Sequence, residues 1–279
     1  MSTLRRVLLV VAGSLLALPL APLTPPAGAA PALVWSDEFD GPSGSKPNSA
    51  KWAYDIGNGS NGWGNNELQA YTDKTSNVAL NGGGQLVITA RRENSGAPCW
   101  NGGNCQYTSG KLTTNNRINW TYGRIETRMK LPYGQGIWPA FWMLGSNIGQ
   151  VGWPNCGEID IMENIGREPT TVHGTLHGPG YSGAGGIGAA RQSPNGQPWS
   201  AAYHTYAIDW SANRIQWLVD GVVYQTRTPA DLGGRTWVFN NRFYLIMNLA
   251  VGGQWPGNPD GSTTFPQQLG IDYVRVYQG

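Results

Sequence analysis

From residue 33 onward the sequence predicts an all-β fold, two antiparallel sheets packed face to face as a β-jelly-roll sandwich. Three observations predict it. Apolar and polar residues alternate with period two, turn residues recur at roughly ten-residue intervals, and neither helical crossovers nor a repeat of fixed length interrupts the pattern. The 40 glycines fit an architecture of bends and long loops.

Residues 1–30, ahead of that pattern, have a basic start, a long apolar run and the small-residue ending "AGAA". This is the layout of an export signal removed near Ala30, which leaves residues 31–279 as a single domain. Pro19 and Pro22 break the apolar run and no charged flank follows it, which disfavours a permanent membrane anchor, and no later stretch is long enough to span a bilayer. Arg5 and Arg6 suit either the general or the twin-arginine export route. The expectation is a secreted, extracellular monomer.

The strands follow in order, beginning with "LVWSDEF" (33–39) and "GQLVITARR" (84–92). In "GRIETRMKL" (123–131), Ile125, Thr127, Met129 and Leu131 alternate with Arg124, Glu126, Arg128 and Lys130, giving one buried and one wet face. "IWPAFWML" (137–144), "EIDIME" (158–163) and "TVHGTLH" (171–177) come next. In "YAIDWSANRIQWLVDGVVYQT" (206–226) the alternating runs are parted by "SANR" and then by Asp220-Gly221, a hairpin signal. "RFYLIMNLAV" (242–251) and "IDYVRVYQ" (271–278) complete the set. The stretches "GNGSNGWGNN" (57–66) and "GPGYSGAGGIGAARQSPNGQP" (178–198) read as loops at the mouth of a site.

A formal charge of +2, with 13% charged residues and no basic stripe, argues against a nucleic-acid partner. The 13 Trp and 12 Tyr against 5 Phe point to surfaces that are flat and apolar yet hydrogen-bonding, as a sugar ring requires. About half of the indoles are expected to be core fillers. Cys99 and Cys105 bracket the glycine-rich "WNGGN" and are expected to form a disulfide, while Cys156 is left over and reads as a buried inert thiol rather than a nucleophile.

"CGEIDIMENIG" (156–166) sets Glu158, Asp160 and Glu163 among Ile159, Ile161 and Met162. Carboxylates hold water and repel one another, so this is a poor way to build a plain strand. Glu158 and Asp160 share one face, Ile159 and Ile161 face the sandwich, and Glu163 has the wrong parity. A β-bulge near Met162 corrects it and returns Glu163 to the face of the other two. The Cα atoms of Glu158 and Glu163 then lie roughly 13 Å apart. Their side chains can converge toward the ~5 to 5.5 Å at which one carboxylate attacks a sugar carbon while the other protonates the leaving oxygen, with retention of configuration. Asp160, crowded between them, is expected to hold a proton and orient the nucleophile. On spacing alone, calcium binding or a solvated acidic face weighs as much as catalysis. The neighbours shift the balance, because Trp138 and Trp142 share a face of the preceding strand and His173 and His177 share a face of the next. Two histidines without a third nitrogen or thiolate ligand argue against zinc.

"YGRIETRMKLPYGQGIWPAFWMLG", "GEIDIMENIG", "MNLAVGGQWPG" and "IDYVRVYQ" together resemble the laminarinase-type members of glycoside hydrolase family 16, from about Leu33 to the C-terminus. The resemblance implies a single catalytic domain with a concave substrate cleft. It implies retaining endo-hydrolysis of internal β-1,3 bonds in laminarin-type β-glucans, with no cofactor for catalysis. Glu158 is implied as nucleophile, Asp160 as its assistant and Glu163 as acid/base. The bulged spacing is typical of laminarinases, whereas lichenases and xyloglucan transferases have a spacing one residue shorter.

The resemblance further implies Trp138 and Trp142 as a sugar-stacking pair, Trp255 as another platform, and Asn66, Glu67 and Gln69 as a hydrogen-bonding wall. It likewise implies Asn248 as a further substrate contact and His177 as the histidine near the leaving-group side, and His173 is expected to be structural. Where many relatives read Ser-Ala-Arg at the cleft edge, this chain has "SGKL", so Lys111 replaces a planar two-pronged donor by a point charge. A structural calcium on the convex side is implied near Glu38, Gly84 and Asp272. The alternatives are a mixed-linkage glucanase, an enzyme acting on a galactan, and a non-catalytic, lectin-like glucan-binding module, the last disfavoured because all three acids are present.

Overall fold

In the computed structural model, which describes residues 31–279, the period-two alternation becomes seventeen strands among the described residues. The export signal expected over residues 1–30 lies outside them. In chain order the strands are β1 Ala32–Asp37, β2 Ala53–Tyr54, β3 Gln69–Tyr71, β4 Val78–Leu80, β5 Leu86–Arg92, β6 Tyr107–Ser109, β7 Lys111–Thr113, β8 Gly123–Lys130 and β9 Ile137–Gly145. They continue with β10 Glu158–Glu163, β11 Thr171–His177, β12 Ile187–Gln192, β13 His204–Ser211, β14 Arg214–Val219, β15 Val222–Arg227, β16 Phe243–Val251 and β17 Gln267–Gln278.

They form two sheets. One runs β12-β11-β10-β9-β16-β7-β2; the other runs β15-β14-β13-β8-β17-β5-β6-β3, with β1 added to β17 and β4 to β5. The long ladders, such as β9 with β16 and β8 with β17, are antiparallel, and only the short β3–β6 pairing is parallel. This is the jelly-roll sandwich that the alternation predicts.

The core lies between the inner faces. From the seven-stranded sheet come Phe141 and Met143 of β9, Ile159 and Met162 of β10, and Leu245, Met247 and Leu249 of β16. Facing them are Ile125 and Met129 of β8, Ile208 of β13, Trp217 of β14 and Val274 and Val276 of β17. Each fully buried aliphatic or aromatic side chain of this kind contributes about 1.5–3 kcal/mol, so every strand that touches the core is held in register by it. Trp52, Trp120, Trp199, Trp210 and Trp217 are buried, which is the core-filler share of the indoles.

The strand reading needs one correction. Residues 187–192 lie inside the stretch read as a loop, yet they form β12, paired with β11 from Thr171↔Gln192 to Leu176↔Ile187. "IGAARQ" has little β-propensity of its own, and the neighbouring edge of β11 imposes the conformation. The strands β2, β3, β4, β6 and β7 are two or three residues long, too short to carry a periodic signal. Cys99 and Cys105 are disulfide-bonded. Cys156 is free and buried, and burial pushes its thiol up to about 11, which suits an inert packing role.

Candidate active site

β9, β10 and β11 lie side by side, and the register between them sets the site. Against β9, Asp160 faces Trp142, Met162 faces Phe141 and Glu163 faces Ala140, so Ile161 is the one extra residue. The register with β11 shifts at the same place, with Asp160 opposite Thr175 and Glu163 opposite His173. This is the expected β-bulge. Ile161 and Met162 both enter the core, and Glu163 returns to the face of Glu158 and Asp160. The indole N–H of Trp217, from the opposite sheet, donates to the main-chain oxygen of Asp160 at 2.7 Å and pins β10 just before the bulge.

The three carboxyls are closely enclosed, with Asp160 3% and Glu163 9% exposed. Glu163 Oε1 accepts the indole N–H of Trp138 at 3.1 Å, and Glu158 Oε2 accepts that of Trp153 at 2.7 Å. His177 Nε2 lies 3.0 Å from Asp160 Oδ2 and 3.9 Å from Glu158 Oε1, so this histidine stands at the Glu158–Asp160 end of the row. A Cβ on Gly186 of the adjoining loop would run into its ring, so only glycine allows that approach.

Burial is the main reason that all three acids bind protons tightly. It pushes Glu158 up to about 8, with the charge of Asp160 adding to the effect and His177 and the Trp153 N–H opposing it. Burial likewise raises Asp160 to about 7, while its hydrogen bond with Glu158 pulls the other way. Glu163 is raised well above an ordinary carboxyl, by burial first and then by the charge of Asp160. Burial therefore holds both members of the Glu158–Asp160 pair above the ordinary carboxyl range, so the two share a proton at neutral pH.

The aromatic residues converge here. The rings of Trp138 and Trp255 meet edge to face at 5.6 Å, and His173 packs edge-on to Trp255 at 5.0 Å. Trp142 donates its N–H to Asn248 Oδ1 at 2.7 Å, and Asn248 Nδ2 donates to the Tyr71 hydroxyl at 3.0 Å. That hydroxyl donates in turn to Glu67 Oε2 at 3.2 Å, which also accepts Gln69 Nε2 at 2.6 Å, while Asn65 Nδ2 donates to Glu67 Oε1 at 3.1 Å.

Several expected contacts are thereby reassigned. Gln69 has no exposed surface, and its amide joins Glu67 to the Val251 N–H; enclosed in this way, it supports the wall and cannot meet a substrate. Glu67 is buried and accepts three internal donors, and Asn248 acts on the cleft by holding Trp142. Asn66 is half-buried at the end of the 57–66 loop. Lys111 is also buried. Its ammonium lies 3.2 Å from Asp55 Oδ2, 3.8 Å from the Trp63 ring centre and 5.3 Å from that of Trp142, so it braces two indoles instead of standing free at an edge.

Side-chain oxygens of the expected calcium ligands Glu38 and Asp272 are engaged by arginines. Both carboxylate oxygens of Glu38 are held by Arg275, at 3.0 and 2.7 Å, and Asp272 gives Oδ2 to Arg128 at 2.6 Å. Gly84 offers only its carbonyl. Among the described residues, the His/Cys/Asp/Glu atoms that do cluster within 4.8 Å are those of Glu158, Asp160 and His177.

Two residues at the site were not marked by the sequence. Trp153 lies in a turn, outside any alternating run, and Trp63 sits in a glycine-rich loop at positive φ; the only available signal was the richness in Trp itself.

Comparison with known proteins follows the same lines. Residues 65–275 match the family model described as glycosyl hydrolases family 16. The chain is 43% identical over 255 residues to the beta-glucanase of Rhodothermus marinus, covering 88% of this chain and 85% of that one. It is 48% identical to the laminarinase catalytic domain of Thermotoga maritima MSB8, with a TM-score of 0.82 over 88% of this chain and 98% of that one. It is 49% identical to the endo-beta-1,3-glucanase of Pyrococcus furiosus, with a TM-score of 0.82 over 88% and 94% of the two chains.

Proposed function

The chain belongs to glycoside hydrolase family 16, and from that premise we propose that it is a retaining endo-β-1,3-glucanase that acts on laminarin-type glucans outside the cell. The observation that carries the reading is the bulged β10, which sets Glu158, Asp160 and Glu163 on one face beside Trp138 and Trp142.

Glu158 is the nucleophile, Glu163 the acid/base and Asp160 the partner of Glu158. Burial and the charge of Asp160 hold Glu163 well above an ordinary carboxyl, which suits the group that must arrive protonated. It gives that proton to the glycosidic oxygen as Glu158 bonds to the anomeric carbon. It then takes a proton from the water that releases the sugar. Glu158 must be ionised to attack, and Asp160 beside it carries the proton that the pair shares. Trp138, Trp142 and Trp255 offer flat faces to sugar rings, and His177 holds the end of the row occupied by Glu158. No cofactor is needed. Export directed by residues 1–30 and action as a monomer belong to the same proposal, and the signal-like sequence of that segment supports the export.

The test is Glu158→Gln. Turnover of laminarin should fall by roughly 10⁴-fold or more while the variant still folds and binds laminari-oligosaccharides; near-normal release of reducing sugar would refute the assignment. Initial rates on laminarin, barley glucan and agarose test the linkage. A preference for agarose would overturn the substrate class, and a preference for barley glucan the β-1,3 assignment.

A further inference from the structure

We propose that Trp153 is the positioning residue of the nucleophile, gripping Glu158 by Oε2 through both chemical steps so that Oε1 is the oxygen presented to the sugar. This rests on the reading of Glu158 as nucleophile. A neutral N–H donor at 2.7 Å from a carboxylate oxygen is a charge-assisted hydrogen bond, and it selects one rotation of the carboxyl group. When Oε1 bonds to the anomeric carbon, the bond from that carbon to the glycosidic oxygen breaks and the departing oxygen takes the proton of Glu163. Oε2 becomes the carbonyl oxygen of the ester and still accepts the indole N–H. When water bonds to the anomeric carbon and passes its proton to Glu163, the bond to Oε1 breaks and the N–H again meets a carboxylate. The same donor thus serves the ion before, the ester between and the ion after.

The chain fixes Trp153 in place from both sides. The four-residue helix α1, Ile148–Val151, is closed by the Gly152 N–H on the Ile148 carbonyl at 2.8 Å. The Cys156 N–H then bonds the Gly152 carbonyl and the Gly157 N–H the Pro154 carbonyl, each at 3.0 Å. Cys156 anchors the far end, packed in a small cluster with Leu144, Tyr244 and Ile246. Gly145 allows the loop to lie against β9, since a Cβ there would collide with the Cys156 carbonyl. The indole itself is 48% exposed, so it hangs from a well-tied loop over Glu158 without filling the core.

The groups facing Glu158 are Asp160 and Glu163 on its own strand, His177 on β11, Tyr244 on β16 and Cys156 in the loop. Asp160 disfavours the charge on Glu158, whereas His177 and the Trp153 N–H favour it. Removing the N–H therefore makes Glu158 hold its proton more tightly, and the acid limb of the rate profile moves to higher pH.

The experiment compares wild type, Trp153→Phe and Glu158→Gln on laminarin, with kcat, KM, the pH profile of kcat/KM and the melting temperature of each. Phe keeps a flat ring and lacks the N–H. We expect Trp153→Phe to melt as wild type does, to lose about tenfold or more in kcat with KM little changed, and to show the acid limb shifted upward. Wild-type kcat with an unmoved limb would overturn the proposal, and so would a loss carried by KM alone, which would make Trp153 only a sugar platform. Full activity in Glu158→Gln would instead remove the nucleophile assignment itself, whatever Trp153→Phe does.

Discussion

Glu163, enclosed with two other acids and holding a single indole N–H, is the residue whose protonation matters most. Glu163→Gln should lower kcat/KM on laminarin by roughly 10²–10⁴-fold, with far less loss of kcat/KM on an aryl glycoside whose leaving group needs no proton. Equal losses on both would contradict its role. The same enclosure makes a stability prediction. Glu158 titrates near 8 when folded against an ordinary 4.5, so it binds its proton more tightly in the folded chain. The stabilisation from that proton is complete below about 4.5 and is lost as pH rises through the folded value. Glu158→Gln, which never ionises, should therefore gain melting temperature relative to wild type as pH is raised from about 5 to 9; a constant gap, or one that closes, would contradict this. At this scale the acids were legible in the sequence, because three carboxylates among Ile159, Ile161 and Met162 make no sense as packing. Gln69 and Lys111 were misplaced because what encloses them, Val251 in one case and Trp63 and Asp55 in the other, comes from distant segments. Trp153 escaped because its bond to Glu158 depends on a turn whose path no periodicity reveals.

β10 shows what one inserted residue does to a strand. The bulge lets Glu163 face the cleft while Ile161 and Met162 both enter the core. Deleting Met162 would leave Glu-Ile-Asp-Ile-Glu, a regular strand with the acids at alternate positions and so still on one face. The deletion should therefore retain measurable activity while losing about 2–5 kcal/mol of stability with the buried side chain. A folded but wholly inactive deletion would mean that the bulge does more than correct parity. The strands β8, β9, β11, β13, β14 and β17 were readable because each buries a face and alternates accordingly, and β16, buried at every position, was readable as a nearly continuous apolar run. β12 was not, because its conformation comes from pairing with β11, and pairing leaves little trace in a run as poor in bulky residues as "IGAARQ".

Across the whole molecule, a packed core holds one sheet rigid and frees its outer face for chemistry, while loops tied to that sheet complete the cleft. The loop closed by Cys99 and Cys105 belongs to the second group. The Trp100 N–H bonds Asn58 Oδ1 at 2.8 Å, and Asn58 Nδ2 bonds the main-chain oxygens of Glu67 and Gln69, so the disulfide braces the cleft wall and lies outside the sandwich core. Reduction should raise KM for laminarin and leave kcat nearly unchanged, with the fold intact by circular dichroism; a fall in kcat at constant KM would place the disulfide's influence on the chemistry instead. The sandwich was legible because its physics is repetitive, and the cleft was legible only where its residues lie on strands. The central claim, that Glu158 and Glu163 act on one linkage in two successive displacements, is tested most directly by proton NMR of the first reducing end released from laminarin. The account predicts the β-anomer at the earliest time point, followed by slow mutarotation, and the α-anomer appearing first would contradict it.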